Sequence, residues 1–192
     1  MGSFPFFSFF LFTICIIFSS LQSCTLGCSD LIKQSCKKAT NDDPNLSYNI
    51  CIKIVGVNSK ANKAKTIEEL ALASIDLAIC NATKVASTIS NVLRSKVKVM
   101  KNNYTEGCLK DCLKIYSDAI SSLREAKHAI RVKDFKTANV EISSAMDAPS
   151  TCEDGFIERQ GEVSPITKEN QVFFQHTVVS LAFNNMDGHL GL

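Results

Sequence analysis

The side chains in this chain with the most chemistry to offer are nine cysteines and three histidines, and their spacing decides which chemistry is open to them. The cysteines are Cys15, Cys24, Cys28, Cys36, Cys51, Cys80, Cys108, Cys112 and Cys152. No two of them stand at the two-residue spacing of a zinc knuckle, and His128, His176 and His189 are scattered singly, so no metal site is expected. A hydrolytic site needs paired carboxylates, or a Ser or Cys beside a histidine, on adjoining faces. The acidic pairs Asp42-Asp43, Glu68-Glu69 and Glu153-Asp154 are adjacent in sequence, point apart in helices and turns, and read as solvated caps. The sequence therefore offers no catalytic residues and calls for no cofactor. Disulfide formation is the chemistry that remains.

The N-terminus supplies the compartment for it. An apolar run from Phe4 to Phe18 precedes the first charged residue, Asp30, and small and polar residues follow from Ser19 to Ser23. This run is short for a bilayer span and lacks stop-transfer charges, which argues against a membrane anchor. Residues 1–27 read as a signal peptide cleaved between Ser23 and Cys28, although the usual basic start is missing. Cys15 leaves with it and Cys24 is expected to follow, so six or seven cysteines remain, enough for up to three disulfides. Three N-glycosylation sequons, at Asn45, Asn81 and Asn103, fit the same secretory route. The mature part, about 165 residues, is one domain's worth of chain. Its net charge of +2 is spread thinly, with no basic cluster suited to nucleic acid.

The elements that would position the cysteines are helices. Residues 29–55 read as a helical hairpin broken by the polar turn Thr40 to Asn45. Thr66-Ile67-Glu68-Glu69 has the spacing of a capping box and opens a helix of about thirty residues with Ala71, Ile75, Ala78, Ala82, Val85, Ile89 and Leu93 on one stripe. A second helix is predicted from Tyr104 to Arg131, its inward stripe being Cys108, Cys112, Ile115, Ala119, Leu123, Ala126 and Ile130. A third starts at the N-cap Asp134 and resumes after Pro149, and a last one carries Val172, Val179, Phe183 and Met186. The expected fold is all-α: the hairpin 29–55, then an antiparallel four-helix bundle over 66–185, then a flexible tail at 186–192.

Cysteine placement tests that fold. Cys36 and Cys51 bracket the hairpin turn. In a chain-entropy model, a bridge between them would be worth about 3 kcal/mol. Cys108 and Cys112 share one helix face and must each look across to another helix. Nineteen steps separate Cys112 from Arg131 and eighteen separate Asp134 from Cys152, so an antiparallel turn between them brings Cys112 level with Cys152. A Cys80–Cys108 bridge is the remaining candidate, but it is about 25 Å out of register along straight helices. It needs a kink, or the two residues stay unpaired.

These residues carry a resemblance. Asp111-Cys112-Leu113-x-x-Tyr116-x-x-Ala119, paired with Thr151-Cys152-x-x-Gly155-Phe156 and preceded by the Cys36 to Cys51 hairpin, resembles the plant invertase and pectin methylesterase inhibitor family over essentially the whole mature chain. Glu153-Asp154-Gly155-Phe156 and Val163-Ser164-Pro165-Ile166 are similar to its pollen-allergen branch. The resemblance implies disulfides Cys36–Cys51 and Cys112–Cys152, location in the cell wall, and a monomer that meets a carbohydrate-active enzyme without needing a membrane or nucleic acid. Invertase inhibitors of the family use a Pro-Lys-Phe segment between the second and third bundle helices, and the matching stretch here is Lys133-Asp134-Phe135. The central aspartate would be repelled by the carboxylates of a glycosidase site. By elimination the expectation is a secreted inhibitor of pectin methylesterase that occludes its substrate groove one to one. Invertase is the alternative target, and a non-inhibitory, ligand-binding or allergen-like helical protein is the alternative class.

Overall fold

The computed structural model describes residues 28–44, 46–95, 103–159 and 162–188; the expected signal peptide and the Asn45 sequon lie outside them. Eight helices are found among the described residues: α1 (Asp30–Asp42), α2 (Tyr48–Val55), α3 (Ser59–Lys63), α4 (Ile67–Arg94), α5 (Asn103–Arg131), α6 (Phe135–Met146), α7 (Ala148–Ile157) and α8 (Thr167–Gly188). Each start has a local cause. Ser29, Ser47, Asn58, Thr66 and Asp134 each cap a helix by accepting from a backbone N–H in its first turn. At α4, Thr66 Oγ1 accepts from Glu69 N at 3.1 Å, while Glu69 reaches back to Lys65 N at 2.7 Å, one residue before the cap. Pro149 sits in the first turn of α7, where its missing N–H costs nothing.

Small residues at three-to-four spacing on α4 let its neighbours approach closely. Ala71, Ile75, Ala78, Ala82, Val85 and Ile89 are all buried, and α4 packs against both α5 and α8. On the far side α6 packs against the same two helices, so α4, α5, α6 and α8 surround one core that α7 closes along α5 and α8. The hairpin packs through α1 and α2 onto α4 and α8. Gly56 ends α2 at a point where a Cβ would lie 2.5 Å from the Ile52 carbonyl oxygen. The chain then turns into α3, whose Asn62 accepts from Ser29 N at 3.2 Å and donates to the Gly56 carbonyl at 2.5 Å, fastening α3 to the start of α1.

Two disulfides clamp these elements. Cys36–Cys51 joins α1 to α2 with Cα atoms 5.7 Å apart, and Cys112–Cys152 joins α5 to α7 at 5.0 Å. The Cys80–Cys108 bridge considered from the sequence is not formed. Cys80 is exposed on α4, and the Cys108 thiol donates to the Gly155 carbonyl at 3.2 Å, as the register mismatch anticipates.

Several inward positions differ from the sequence reading. Tyr116, not Ile115, points into the core of α5, and on α8 Phe173 is buried while Val172 is half exposed. Within the stretch expected as a tail, α8 continues to Gly188 and buries Met186. Glu153 is no solvated cap. The Tyr116 hydroxyl donates to Asn170 Oδ1 at 2.6 Å, Asn170 Nδ2 donates to Glu153 Oε1, and Thr167 Oγ1 donates to Glu153 Oε2 at 2.9 Å. This network joins α5, α7 and α8 beside the Cys112–Cys152 bridge, with the Tyr116 ring against Phe173 at a centroid distance of 5.2 Å. Asn170→Ala would leave the buried Tyr116 hydroxyl without its acceptor and Glu153 Oε1 without its donor. The expected loss, about 2 kcal/mol, is measurable by urea unfolding, and a loss below 0.5 kcal/mol would show that the network is dispensable.

Candidate functional site

The connection between α5 and α6 is three residues long, and hydrogen bonding fixes all of it. Lys133 N donates to the Ile130 carbonyl at 2.9 Å and Asp134 N donates to the Ala129 carbonyl at 2.9 Å, the bond pattern that closes a helix through one left-handed residue. That residue is Lys133, with φ of 62°, at a position where glycine is usual. A side chain there costs about 1 kcal/mol in backbone strain. The lysine is exposed to solvent, between the exposed Val132 and Asp134.

Asp134 faces elsewhere. Its carboxylate accepts from Thr137 N at 3.0 Å and from Thr137 Oγ1 at 2.7 Å, which makes it the N-cap of α6. Those two hydrogen bonds, with Lys136 nearby, hold it below the usual carboxylate range. Its charge is thus turned onto a helix N-terminus, where the backbone dipole offsets it. The carboxylate stays ionised, with its oxygens committed to Thr137.

Phe135 opens α6 half-buried against the core, so its ring anchors the turn as well as bordering its surface. The backbone behind it is held from across the molecule. Asn184 Nδ2 of α8 donates to the Phe135 carbonyl at 3.0 Å, and Asn139 Nδ2 of α6 donates to Asn185 Oδ1 at 2.6 Å. Asn184 and Asn185 are the last two residues of the bundle expected from sequence, which names neither as a contact. Their signal was the helical continuation of the Val179, Phe183, Met186 stripe, which places Asn184 on the inner side.

The glycosylation candidates separate. Asn103 is exposed at the start of α5, whereas Asn81 lies mid-helix on α4 with its Oδ1 buried and without a hydrogen-bond partner. Among the described residues no group of three His, Cys, Asp or Glu side chains is placed to hold a metal ion.

The described residues thus form a disulfide-clamped helical body that displays a short, hydrogen-bonded turn at 132–134. The family model for plant invertase/pectin methylesterase inhibitors matches residues 30–183, and the chain belongs to that family of non-catalytic inhibitors. It is 38% identical over 179 residues to a protein of Platanus acerifolia named "Putative invertase inhibitor", covering 92% of this chain and 97% of that one. It is 36% identical over 171 residues to pectinesterase inhibitor 12 of Arabidopsis thaliana, covering 89% and 95%. The crystal structure of a mutant form of an Arabidopsis pectin methylesterase inhibitor aligns over 82% of this chain and 97% of its own, with a TM-score of 0.65 at 20% identity, a likeness of fold.

Proposed function

We propose that this protein is a secreted inhibitor of invertase that acts in the cell wall by inserting the α5–α6 turn into the enzyme's sugar-binding cleft. The observation that carries the reading is Lys133. A non-glycine residue held at positive φ, exposed, and tied down on both sides is strain retained at a surface point, and such strain is a pointer to function. A glycosidase flanks its scissile bond with two carboxylates, and a projecting ammonium group complements them. With the Asp134 carboxylate hydrogen-bonded to Thr137 at the start of α6, the turn offers Lys133, with Lys136 beyond it, as its projecting cation. The reading favours invertase over the pectin methylesterase expected from sequence, and the name of the Platanus relatives supports it.

The supporting architecture, on this reading, is an antiparallel four-helix bundle of α4, α5, α6 and α8, with the hairpin as a brace. Its rigidity keeps the ordering cost of binding low. Pectin methylesterase remains the second reading, favoured by the similarity to pectinesterase inhibitor 12.

Two variants at one position test the proposal. Lys133→Glu should raise the inhibition constant against a cell-wall invertase by tenfold or more while leaving the unfolding midpoint nearly unchanged. Lys133→Gly should stabilise the protein by about 1 kcal/mol, because the left-handed cost disappears, and still weaken inhibition. Opposite movement of stability and inhibition is the expected signature. Unchanged inhibition in both variants would remove the turn from the mechanism.

A further inference from the structure

Beside that turn, α3, the first half of α4 and the end of α5 line an open groove of about 370 Å³. Its walls carry Lys60, Lys63, Lys127 and Arg131 against the two carboxylates Glu69 and Asp76. The excess of two positive charges equals the formal net charge of the entire chain, so the charges outside the groove sum to zero. The charges are arranged as well as concentrated. Asp76 is clamped between Lys127, its shorter partner, and Lys60 at 3.5 Å, with the Lys127 side chain three-quarters buried. Glu69 is occupied by Lys65 N at 2.7 Å. Lys63 and Arg131 form no ion pair among the described residues and are exposed at the groove. Between the cations the floor is apolar, made by Ala64, Leu72 and Ala73.

We infer that this groove binds a carboxylated oligosaccharide, an acidic sugar chain whose carboxylates pair with Lys63 and Arg131 while its ring faces lie over Ala64, Leu72 and Ala73. Each part of the lining selects for that class. Cations without partners call for an anion, and the guanidinium of Arg131 can take a carboxylate in two parallel hydrogen bonds. An apolar strip between charges suits the C–H face of a sugar ring. The groove has no aromatic side chain on which a nucleobase would stack, which disfavours a single-stranded nucleic acid. This site stands apart from the target-binding turn and holds whether or not an enzyme is inhibited, and it would tether the protein to an acidic wall polysaccharide.

The test is direct titration of the full mature chain, without any enzyme, by calorimetry or by chemical-shift mapping at low ionic strength. Three probes are used: hexagalacturonate, the same oligomer fully methyl-esterified, and a poly-glutamate peptide of equal charge. Binding of the hexagalacturonate is expected, weakened at least tenfold by esterification, by 0.5 M salt, and by Lys63→Ala with Arg131→Ala. Lys63→Ala alone, an exposed change that leaves the fold intact by circular dichroism, should weaken it severalfold. Absence of binding, equal binding of the neutral ester, or affinity for the double variant equal to that of the parent overturns the site. Tighter binding of poly-glutamate than of hexagalacturonate overturns the ligand class in favour of an acidic protein surface.

Discussion

Replacing Cys112 and Cys152 together by alanine is expected to destabilise the protein by about 4 kcal/mol, the largest loss from any single link in the fold. The bridge closes a loop with a sequence separation of 40, against 15 for Cys36–Cys51. In the chain-entropy treatment the cost of opening a link grows with the logarithm of the loop it closes, giving about 4 kcal/mol for the first and about 3 for the second. The longer link also has more to hold. It fixes α7 against α5, alongside the Tyr116–Asn170–Glu153 hydrogen bonds and the contact of Tyr104 Oη with the Gly155 carbonyl at 2.6 Å. Urea unfolding of the double variant beside Cys36→Ala/Cys51→Ala measures both, and the prediction is that the Cys112–Cys152 loss exceeds the other by about 1 kcal/mol or more. A smaller loss for the longer loop would mean that native contacts, not chain entropy, decide the ranking.

The second large effect is a loss of stability in acid governed by one histidine. His176 lies on α8 with its Nδ1 buried and without a hydrogen-bond partner, and burial, reinforced by Lys84, pushes its pKa down from 6.5 to about 4. The neutral ring is thus the form the fold accepts. Above pH 6.5 neither the folded nor the unfolded chain carries the proton, and the full stability is present. As the pH falls below 6.5 the unfolded chain takes up a proton that the folded one refuses, and stability declines until the folded-state value near 4 is reached. The total is about 3 kcal/mol, of which about 2 is gone by pH 5. His176→Gln removes the titrating group, so the difference in unfolding free energy between pH 7 and pH 5 should shrink by about 2 kcal/mol in the variant. Parallel pH profiles for parent and variant would show that the histidine is hydrated in the folded protein. In an acidic compartment this residue leaves the inhibitor with a reduced margin, which makes the two disulfides matter more.

What could be read from the sequence, and what could not, divides along physical lines. The capping box at Thr66 and the apolar spacing of α4 were legible because backbone capping and helical periodicity are local. The Cys112 to Cys152 register was legible because a short antiparallel turn makes it a matter of counting residues. On α8 the inner face was obscured, since it buries Asn170, Thr177, Ser180 and Asn184 among its apolar residues. Thr177 Oγ1 donates to the Phe174 carbonyl at 2.7 Å and Ser180 Oγ to the His176 carbonyl at 3.0 Å, so their hydroxyls are satisfied by their own helix and can be buried like small apolar groups. Asn170 and Asn184 instead serve partners distant in sequence, Tyr116 with Glu153 and the Phe135 carbonyl, which no local pattern announces.

The turn shows the same division. Its position, its residue types and the N-cap role of Asp134 were open to inspection, but the left-handed backbone that displays Lys133 was not. Read as a free charge, that residue argues against invertase; seen as the N-cap of α6, it leaves Lys133 as the projecting charge. The preferred target changes on that one orientation, with the similarity to the Platanus proteins pointing the same way.

Parallel titration of the purified mature protein against a cell-wall invertase and a pectin methylesterase, at pH 5 and in low salt, tests the central claim most directly. Invertase activity should fall linearly to near zero at one equivalent of protein, while pectin methylesterase keeps its full rate at the same concentrations. Full invertase activity in micromolar excess of the protein, with the esterase inhibited instead, would contradict the account.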